Sequence, residues 1–389
     1  MFVKLRYHTK IFLNNLRDRL TLFINHRHEL RKFRDSRRVR IWSQVHLSTE
    51  QKHQIDAFFL KNYGTKIPYI WHRHYTAFTG NFDVKYFPEL LYIPEFEYFM
   101  NYKKEYAKVL SDKNLLPYVA KSAQVCTPKI LLSCVEGLYR DGQNKVITMD
   151  TFKRQLSNLG EIFAKPSVES SSGRRCVVLN MKNGKDVISG QSSAQLLTEL
   201  GTNFVIQERL VCHESIAKIY PHSVNTFRII TYRWKDEICH MPIILRIGNG
   251  GKNVDNAHAG GIFIAINDDG TLHETAFTEF NKRYISHPDT QVKFAGYIIP
   301  NVDTLITAAK YMHMLLPSLG VVNWDFTIDT NGRPVLIEAN LHSGSIWLAQ
   351  IAHGKGVFGQ KTEEVLHWIA LMKKLPAHKR RPYLYGRST

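Results

Sequence analysis

The stretch that decides the fold runs from Val321 to Gly344 and reads VVNWDFTIDTNGRPVLIEANLHSG. Two runs rich in β-branched and aromatic residues flank the segment 329–332, whose sequence Asp-Thr-Asn-Gly is typical of a tight hairpin turn. The stretch therefore predicts a strand, a turn and a second strand.

Three side chains of this hairpin carry oxygen atoms that could bind a metal ion. Asp325 lies on the first strand, and Glu338 and Asn340 share one face of the second, because side chains alternate along a strand. Folding the hairpin would bring Asp325 beside Glu338. Two carboxylates and an amide suit a hard cation such as Mg²⁺, with Mn²⁺ as a substitute. The alternative is a purely structural hairpin that carries an acid on each arm.

Length and composition indicate a globular protein with two or three domains. The chain has 389 residues, of which 44% are apolar and 22% charged. We find no apolar run long enough for a transmembrane helix and no secretory signal. Five cysteines without a C-x-x-C pair predict reduced thiols and argue against zinc. We therefore expect a cytoplasmic protein.

The net charge of +18 is concentrated at the two ends of the chain. Residues 1–42 hold 12 Lys/Arg and 3 Asp/Glu, and residues 373–389 hold 6 Lys/Arg and no acid. These ends either contact an anionic surface, such as the inner face of a membrane, or are solvated without a partner. The aromatic-rich residues 65–100 contain no nucleic-acid-binding motif, so we expect no nucleic-acid partner.

A second group of candidate residues surrounds Lys165. Residues 161–178 predict a strand, a loop and a strand, with Lys165 at the end of the first strand beside Pro166. The intervening loop offers hydroxyls and backbone N–H groups that can cover phosphates. The alternative is a plain hairpin with a polar tip. The loop candidates are Ser171, Ser172 and Gly173.

Two arginines lie on predicted neighbouring strands. Arg228 stands in NTFRIITYR and Arg246 in PIILRIG. Burying arginine is costly unless it faces an anion, and its guanidinium binds phosphate and carboxylate through two hydrogen bonds. We expect both to contact a transferred phosphate or a substrate carboxylate, as catalytic residues.

The order of these motifs resembles the ATP-grasp superfamily. Within it, the chain looks most like the sugar-transfer-associated ATP-grasp proteins encoded with surface polysaccharide genes. The likeness is carried by SVNTFR at 223–228, by VDN at 254–256 with the glycines at 260–261, and by Asp325 with the Glu-Ala-Asn triplet at 338–340.

This resemblance implies an α+β fold in which two α+β subdomains sandwich ATP, preceded by a mainly helical, basic region. The implied domains are an N-terminal region (1–107), a subdomain with the phosphate loop (108–206), a subdomain with the metal site (207–375) and a basic tail (376–389).

The resemblance also implies roles for individual residues. Lys113, at the predicted start of a helix over 111–122, and Lys165 would contact the nucleotide phosphates. The end of a strand over 203–210 would bind adenine, and an acid beyond it the ribose. The matching positions are Gln207, Glu208, Leu210 and Glu214.

The implied activity is that of an ATP-dependent carboxylate–amine ligase acting through an acyl phosphate. Its substrates would be a small carboxylate and an amine, such as an amino acid or amino sugar, with an amide formed on a polysaccharide precursor. Two departures argue against D-alanine: the first hundred residues lack the usual small α/β domain, and Asn323 replaces an arginine. The alternatives are a kinase on the same fold and a non-catalytic, basic, membrane- or polyanion-binding protein.

Overall fold

The computed structural model describes residues 2–102, 104–168, 175–342 and 344–384, and these ranges form an α+β fold. The helices are α1 (Phe2–Lys32), α2 (Ser36–Ser43), α3 (Thr49–Tyr63), α4 (Ile70–Thr79), α5 (Glu89–Leu91), α6 (Tyr98–Met100), α7 (Lys104–Leu110), α8 (Leu116–Ser122), α9 (Met149–Leu156), α10 (Ser193–Leu200), α11 (Glu214–Ala217), α12 (Val302–Met314), α13 (Trp347–His353) and α14 (Thr362–Lys374). A π-helical segment, Tyr92–Glu97, joins α5 to α6.

Within the described ranges the strands form two sheets, and neighbouring strands of each sheet pair in the antiparallel sense. They are β1 (Ile130–Val135), β2 (Leu138–Asp141), β3 (Gly160–Pro166), β4 (Val177–Lys182), β5 (Lys185–Asp186), β6 (Phe204–Glu208), β7 (Thr226–Trp234), β8 (Glu237–His240), β9 (Ile243–Ile247), β10 (Ile262–Ile266), β11 (Leu272–Phe277), β12 (Arg283–Tyr284), β13 (Val321–Ile328) and β14 (Pro334–Asn340).

The smaller sheet has the order β2-β1-β6-β3-β4-β5. Alternate residues of its strands pack against α9 and α10, with Phe152 and Leu196 among the buried contacts. Strand β3 ends at Pro166, so the preceding Lys165 is the last side chain of that strand before the proline, as the sequence predicts.

The larger sheet has the order β12-β11-β10-β9-β7-β13-β14, and β8 pairs with β7. Strand β13 is buried along its whole length because helices cover both faces of the sheet. One apolar cluster joins a face of this sheet to the N-terminal helices and to α13 and α14, and a second joins the opposite face to α8 and α12.

The central hairpin forms as the sequence predicts. Gly332 closes its turn by donating its N–H to the carbonyl oxygen of Asp329 at 2.9 Å, with a φ of 77° that favours glycine. The register pairs Asp325 with Glu338 and Asn323 with Asn340. The predicted convergence of Asp325 and Glu338 is therefore present in the backbone itself.

The N-terminal helices share one apolar cluster with the larger sheet. Trp71 and Phe96 belong to the same buried cluster as Tyr232 of β7 and Trp368 of α14. The Asn101 side chain contacts the backbone of β13. The domain boundary at residue 107 stays a prediction. These contacts connect the residues before the boundary closely to the larger sheet that follows it.

The helix predicted from Ser111 to Ser122 begins later, at Leu116. The Asp112 carboxylate accepts the N–H of Asn114 at 2.9 Å, and the Lys113 N–H donates to the Ser167 carbonyl at 2.9 Å. Because these backbone groups have partners outside a helix, the segment forms a turn. The predicted helical position of Lys113 is therefore wrong.

Candidate active site

A cavity of about 470 Å³ lies between the two sheets. Its walls come from β3, β4 and β6 of the smaller sheet and from β7, β9, β13 and β14 of the larger one. Ten residues that the sequence analysis selected line it: Lys113, Lys165, Gln207, Glu208, Leu210, Arg228, Arg246, Asp325, Glu338 and Asn340.

Asp325 is held by two arginines from neighbouring strands. Arg228 is its register partner on β7, with Nε 2.5 Å from Oδ1 and Nη2 3.1 Å from Oδ2. Arg246 on β9 places Nη2 3.2 Å from Oδ2. Burial opposes ionisation of Asp325, but the charges of the two arginines outweigh it and lower the pKa of this carboxyl.

Arg246 is positioned by two further buried residues. Its Nη2 donates to Thr226 Oγ1 at 2.7 Å, and its Nε lies 3.4 Å from Asp255 Oδ2. Asp255 also accepts hydrogen bonds from the backbone N–H and the hydroxyl of Thr226. Burial raises the pKa of Asp255, and Arg246 opposes that shift. We conclude that Asp255 orients Arg246.

Asp255 and Thr226 are not among the site residues predicted from the sequence. The sequence signal for Asp255 is the Val-Asp-Asn motif at 254–256, which contributes only to the family resemblance. Thr226 stands two residues before Arg228 on the same strand, so the two side chains share a face. No feature of the neighbouring sequence indicates that Thr226 contacts Asp255, which lies 29 residues away in the chain.

Two lysines and Glu338 form the other charged wall of the cavity. Lys113 Nζ lies 3.1 Å from Glu338 Oε1, and both lysines are buried. The pKa of Lys165 is lowered to about 8, mainly by burial; Glu338 opposes this shift, and the charge of Lys113 contributes to it. Lys113, Lys165, Arg228 and Arg246 thus bring cationic side chains to the cavity from four separate segments, and Arg209, paired with Glu161, is a fifth.

The proposed metal ligands fit a cation that prefers oxygen. The side chains of Asp325 and Asn340 are in contact, with Asn340 Nδ2 3.2 Å from Asp325 Oδ2, and Glu338 reaches the same cavity. Their donor set is two carboxylates and one amide, which suits Mg²⁺ when phosphate and water complete the shell. The described residues contain no group of three His, Cys, Asp or Glu side chains placed to hold a metal.

The cavity wall formed by the end of β6 contains both polar and apolar side chains. Gln207 Nε2 lies 3.4 Å from the Pro128 carbonyl, while its buried Oε1 has no partner in the described ranges. Glu208 accepts the Lys129 N–H at 3.0 Å, and so its carboxylate is already bonded to the backbone. The apolar surface beside them suits a flat base and comes from Phe163, Val178, Leu210 and Ile337.

A family model described as sugar-transfer associated ATP-grasp matches residues 94–365. The chain belongs to this family. A search of curated proteins finds no match.

Solved structures of ATP-grasp proteins resemble the chain at low identity. N5-carboxyaminoimidazole ribonucleotide synthetase in its ADP complex is 10% identical, covering 61% of this chain and 46% of its own, with a TM-score of 0.36. D-alanyl-alanine synthetase A from Vibrio cholerae O1 biovar eltor str. N16961 is 10% identical, covering 67% and 64%, with a TM-score of 0.38. D-alanine–D-alanine ligase from Bacillus anthracis is 15% identical, covering 67% of each chain, with a TM-score of 0.36. The chain thus spans less than two thirds of the first two proteins.

Of the site residues predicted from the sequence of this ATP-grasp chain, one described residue does not line the cavity and three lie outside the described part of the chain. Glu214 begins α11, where its side chain is exposed and does not line the cavity. Ser171, Ser172 and Gly173 lie outside the described residues. The ribose contact of Glu214 and the phosphate contacts of this loop stay predictions.

Proposed function

We propose that this ATP-grasp chain is an ATP-dependent carboxylate–amine ligase that acts through an acyl phosphate. One observation carries the proposal: two lysines (Lys113, Lys165), two arginines (Arg228, Arg246) and the carboxylates of Asp325 and Glu338 converge on a single cavity between two sheets. That charge pattern suits a triphosphate together with a divalent cation.

The cationic side chains bind and orient the charged groups of the two substrates. Lys113 and Lys165 contact the nucleotide phosphates, and Arg228 and Arg246 hold the transferred phosphoryl group and the carboxylate beside it. Asp325, Glu338 and Asn340 would hold Mg²⁺, which neutralises charge on phosphate oxygens when bound. The pairing of β13 with β14 fixes the backbone of Asp325, Glu338 and Asn340 relative to one another.

The chemistry balances without a nucleophilic side chain. A carboxylate oxygen of the first substrate attacks the γ-phosphorus of ATP, and the bond to the ADP oxygen breaks. The nitrogen of the amine then attacks the acyl carbon, phosphate leaves with the bonding electron pair, and the nitrogen loses a proton to solvent. The products are an amide, ADP and phosphate.

The amine substrate belongs to a sugar or polysaccharide precursor, as an amino sugar or an amino acid joined to one. The family description associates these proteins with sugar transfer. Hydrogen-bonding side chains on the cavity wall support a hydroxyl-rich substrate, namely Arg209, His222, Asn253 and Asn256. Because ATP is consumed, the reaction belongs in the cytoplasm.

Calorimetric binding of a non-hydrolysable ATP analogue, with and without Mg²⁺, tests the site. We expect Mg²⁺ to tighten binding to the wild type and to have little effect on Glu338→Ala. Glu274→Ala, an exposed carboxylate on β11, is the matched control and should behave like the wild type. Absence of nucleotide binding by the wild type would overturn the proposal and favour a non-catalytic, basic protein.

Product analysis tests the reaction itself. With ATP, a carboxylate and an amine, a ligase releases phosphate and forms an amide, and hydroxylamine in place of the amine traps the acyl phosphate as a hydroxamate. A stable phosphoester on a substrate hydroxyl would instead show a kinase.

A further inference from the structure

Over residues 9–32, whose side chains the structure describes, helix α1 packs on the protein through one face. On that face, Asp18 accepts a hydrogen bond from Tyr98 Oη at 2.8 Å, and His26 Nε2 lies 2.8 Å from the buried Glu95. Leu22 and Leu30 are partly buried against the large apolar cluster. These positions recur every three or four residues, as expected for one side of a helix.

The opposite face of α1 is apolar and uncovered. Its side chains are between 54% and 66% exposed, which is unusual for so many large apolar groups on three successive turns. Isolated exposed apolar residues are ordinary, but a contiguous stripe marks an interaction surface. We call this set the α1 stripe: Phe12, Leu13, Leu16, Leu20, Phe23 and Ile24.

The exposed charges of α1 beyond its first turns are all positive. The helix has two acidic residues, Asp18 and Glu29, and both are buried. Around the α1 stripe the arginines are exposed, and the guanidinium of Arg27 lies 5.6 Å from the centre of the Phe23 ring. The exposed arginines are Arg17, Arg19, Arg27 and Arg31.

The C-terminal segment adds positive charge beside this helix. Arg380 forms an ion pair with Asp18 at 2.8 Å, and the Ala377 N–H donates to Asn15 Oδ1 at 3.1 Å. Lys379 and Arg381 next to them are exposed. The two basic ends, separate in the sequence, are therefore in contact in the fold.

We propose that the α1 stripe and its surrounding arginines dock this protein onto an anionic lipid bilayer. The helix lies parallel to the surface, with the apolar side chains below the headgroups and the arginines against lipid phosphates. A second copy of the chain would present the same positive charge and repel it. Among the described residues, no helix has the length and apolar character needed to cross a bilayer.

Co-sedimentation with vesicles tests the docking. We expect binding to vesicles of equal parts phosphatidylglycerol and phosphatidylcholine, weakening with salt, and little binding to pure phosphatidylcholine. The double variant Leu16→Glu, Leu20→Glu should lower the vesicle partition coefficient by at least roughly tenfold. The favourable transfer of two leucine side chains from water into the bilayer is then lost. Arg17→Gln should lower the same coefficient by roughly fivefold.

Matched controls separate docking from general damage. Ile285→Glu with Ile298→Glu introduces the same charge at exposed apolar positions outside α1 and should leave partitioning unchanged. Thermal unfolding of each variant checks that the fold persists. The proposal is overturned if the wild type does not bind anionic vesicles, or if the double variant Leu16→Glu, Leu20→Glu binds them as tightly as the wild type does. It is also overturned if sedimentation velocity shows a dimer that only this double variant dissociates, since a second copy would then cover the stripe.

Discussion

Arg228 and Asp325 face each other across β7 and β13, with Nε 2.5 Å from Oδ1 and Nη2 3.1 Å from Oδ2. Arg246 adds a contact to the same carboxylate at 3.2 Å. Asp325 therefore compensates two largely buried cations in addition to being a proposed metal ligand. Loss of this carboxylate should affect folding stability as well as binding.

Asp325→Asn should lower the free energy of unfolding by about 3 kcal/mol, because it leaves buried positive charge without its partner. Arg246 keeps Asp255, which limits the loss. Urea unfolding measures the change. Lys66→Ala removes an ion pair with Asp56 whose lysine side chain is exposed, and should have little effect. A stability of Asp325→Asn equal to the wild type would contradict the assignment of Asp325 as the counter-charge.

Nucleotide affinity should fall as pH rises through about 8, because the pKa of Lys165 is lowered to about 8 by burial. Bound phosphates favour the ammonium and raise its pKa, so binding near this pH takes up a proton. Above pH 8 the loss approaches tenfold per pH unit. Calorimetry in two buffers of different ionisation enthalpy measures the uptake. Lys165→Arg keeps its positive charge across this pH range. It should show neither the fall in nucleotide affinity nor the proton uptake on binding.

The same lysine should change stability in the opposite direction. In the unfolded chain its pKa returns to 10.5, so between about 8 and 10.5 the unfolded state binds more protons than the folded one. The contribution of Lys165 to stability therefore rises with pH across this window. If Lys165→Met leaves the pH dependence of the stability of the ligand-free protein unchanged, the lowered pKa of the buried lysine is contradicted.

Local sequence patterns were sufficient to predict the β13–β14 hairpin and the position of Lys165 at the end of β3. Strand periodicity and turn composition determine which side chains share a face, so Asp325 and Glu338 could be paired without a structure. Tertiary contacts were not accessible in this way. Asp255 meets Thr226 through a loop, and the turn at Lys113 depends on the Ser167 carbonyl of another segment.

The contact between Asn101 and β13 also has no local signal. Its amide Nδ2 donates to the carbonyls of Val321 and Leu341 at 2.8 and 3.2 Å, and its Oδ1 accepts the N–H groups of Gly320 and Val321 at 2.8 and 3.0 Å. The partners are more than 200 residues away, and only the folded chain brings them together. The N-terminal region thus holds the strand that carries Asp325.

Asn101→Ala should lower the free energy of unfolding by about 3 kcal/mol, because it leaves several buried backbone groups without partners. It should also weaken Mg²⁺-dependent nucleotide binding, since β13 and the end of β14 lose a common support. Chemical unfolding and calorimetry measure the two effects. Asn158→Ala, which removes one exposed hydrogen bond to the Asn183 N–H, is the control. Equal stability of the two variants would show that Asn101 is not a structural support.

Gly344, which follows the β13–β14 hairpin, has no room for a side chain. A Cβ on Gly344 would lie 2.0 Å from Asn323 Nδ2, and Asn323 is fully buried on β13. Its Nδ2 donates to the Asn340 carbonyl at 3.3 Å, while its Oδ1 has no partner in the described part of the chain. Gly344→Ala must therefore displace Asn323 and, with it, the backbone of a proposed metal ligand.

A double-mutant cycle separates this collision from other effects. Gly344→Ala alone should cost about 2 kcal/mol of stability through overpacking and should reduce the Mg²⁺ enhancement of nucleotide binding. In an Asn323→Ala background the same change should cost about 1 kcal/mol or less, because the smaller side chain leaves space for the new methyl group. Costs that simply add would show that Asn323 and Gly344 are not in contact. The coupling would show that the glycine is needed to keep Asn323, and through it Asn340, in place.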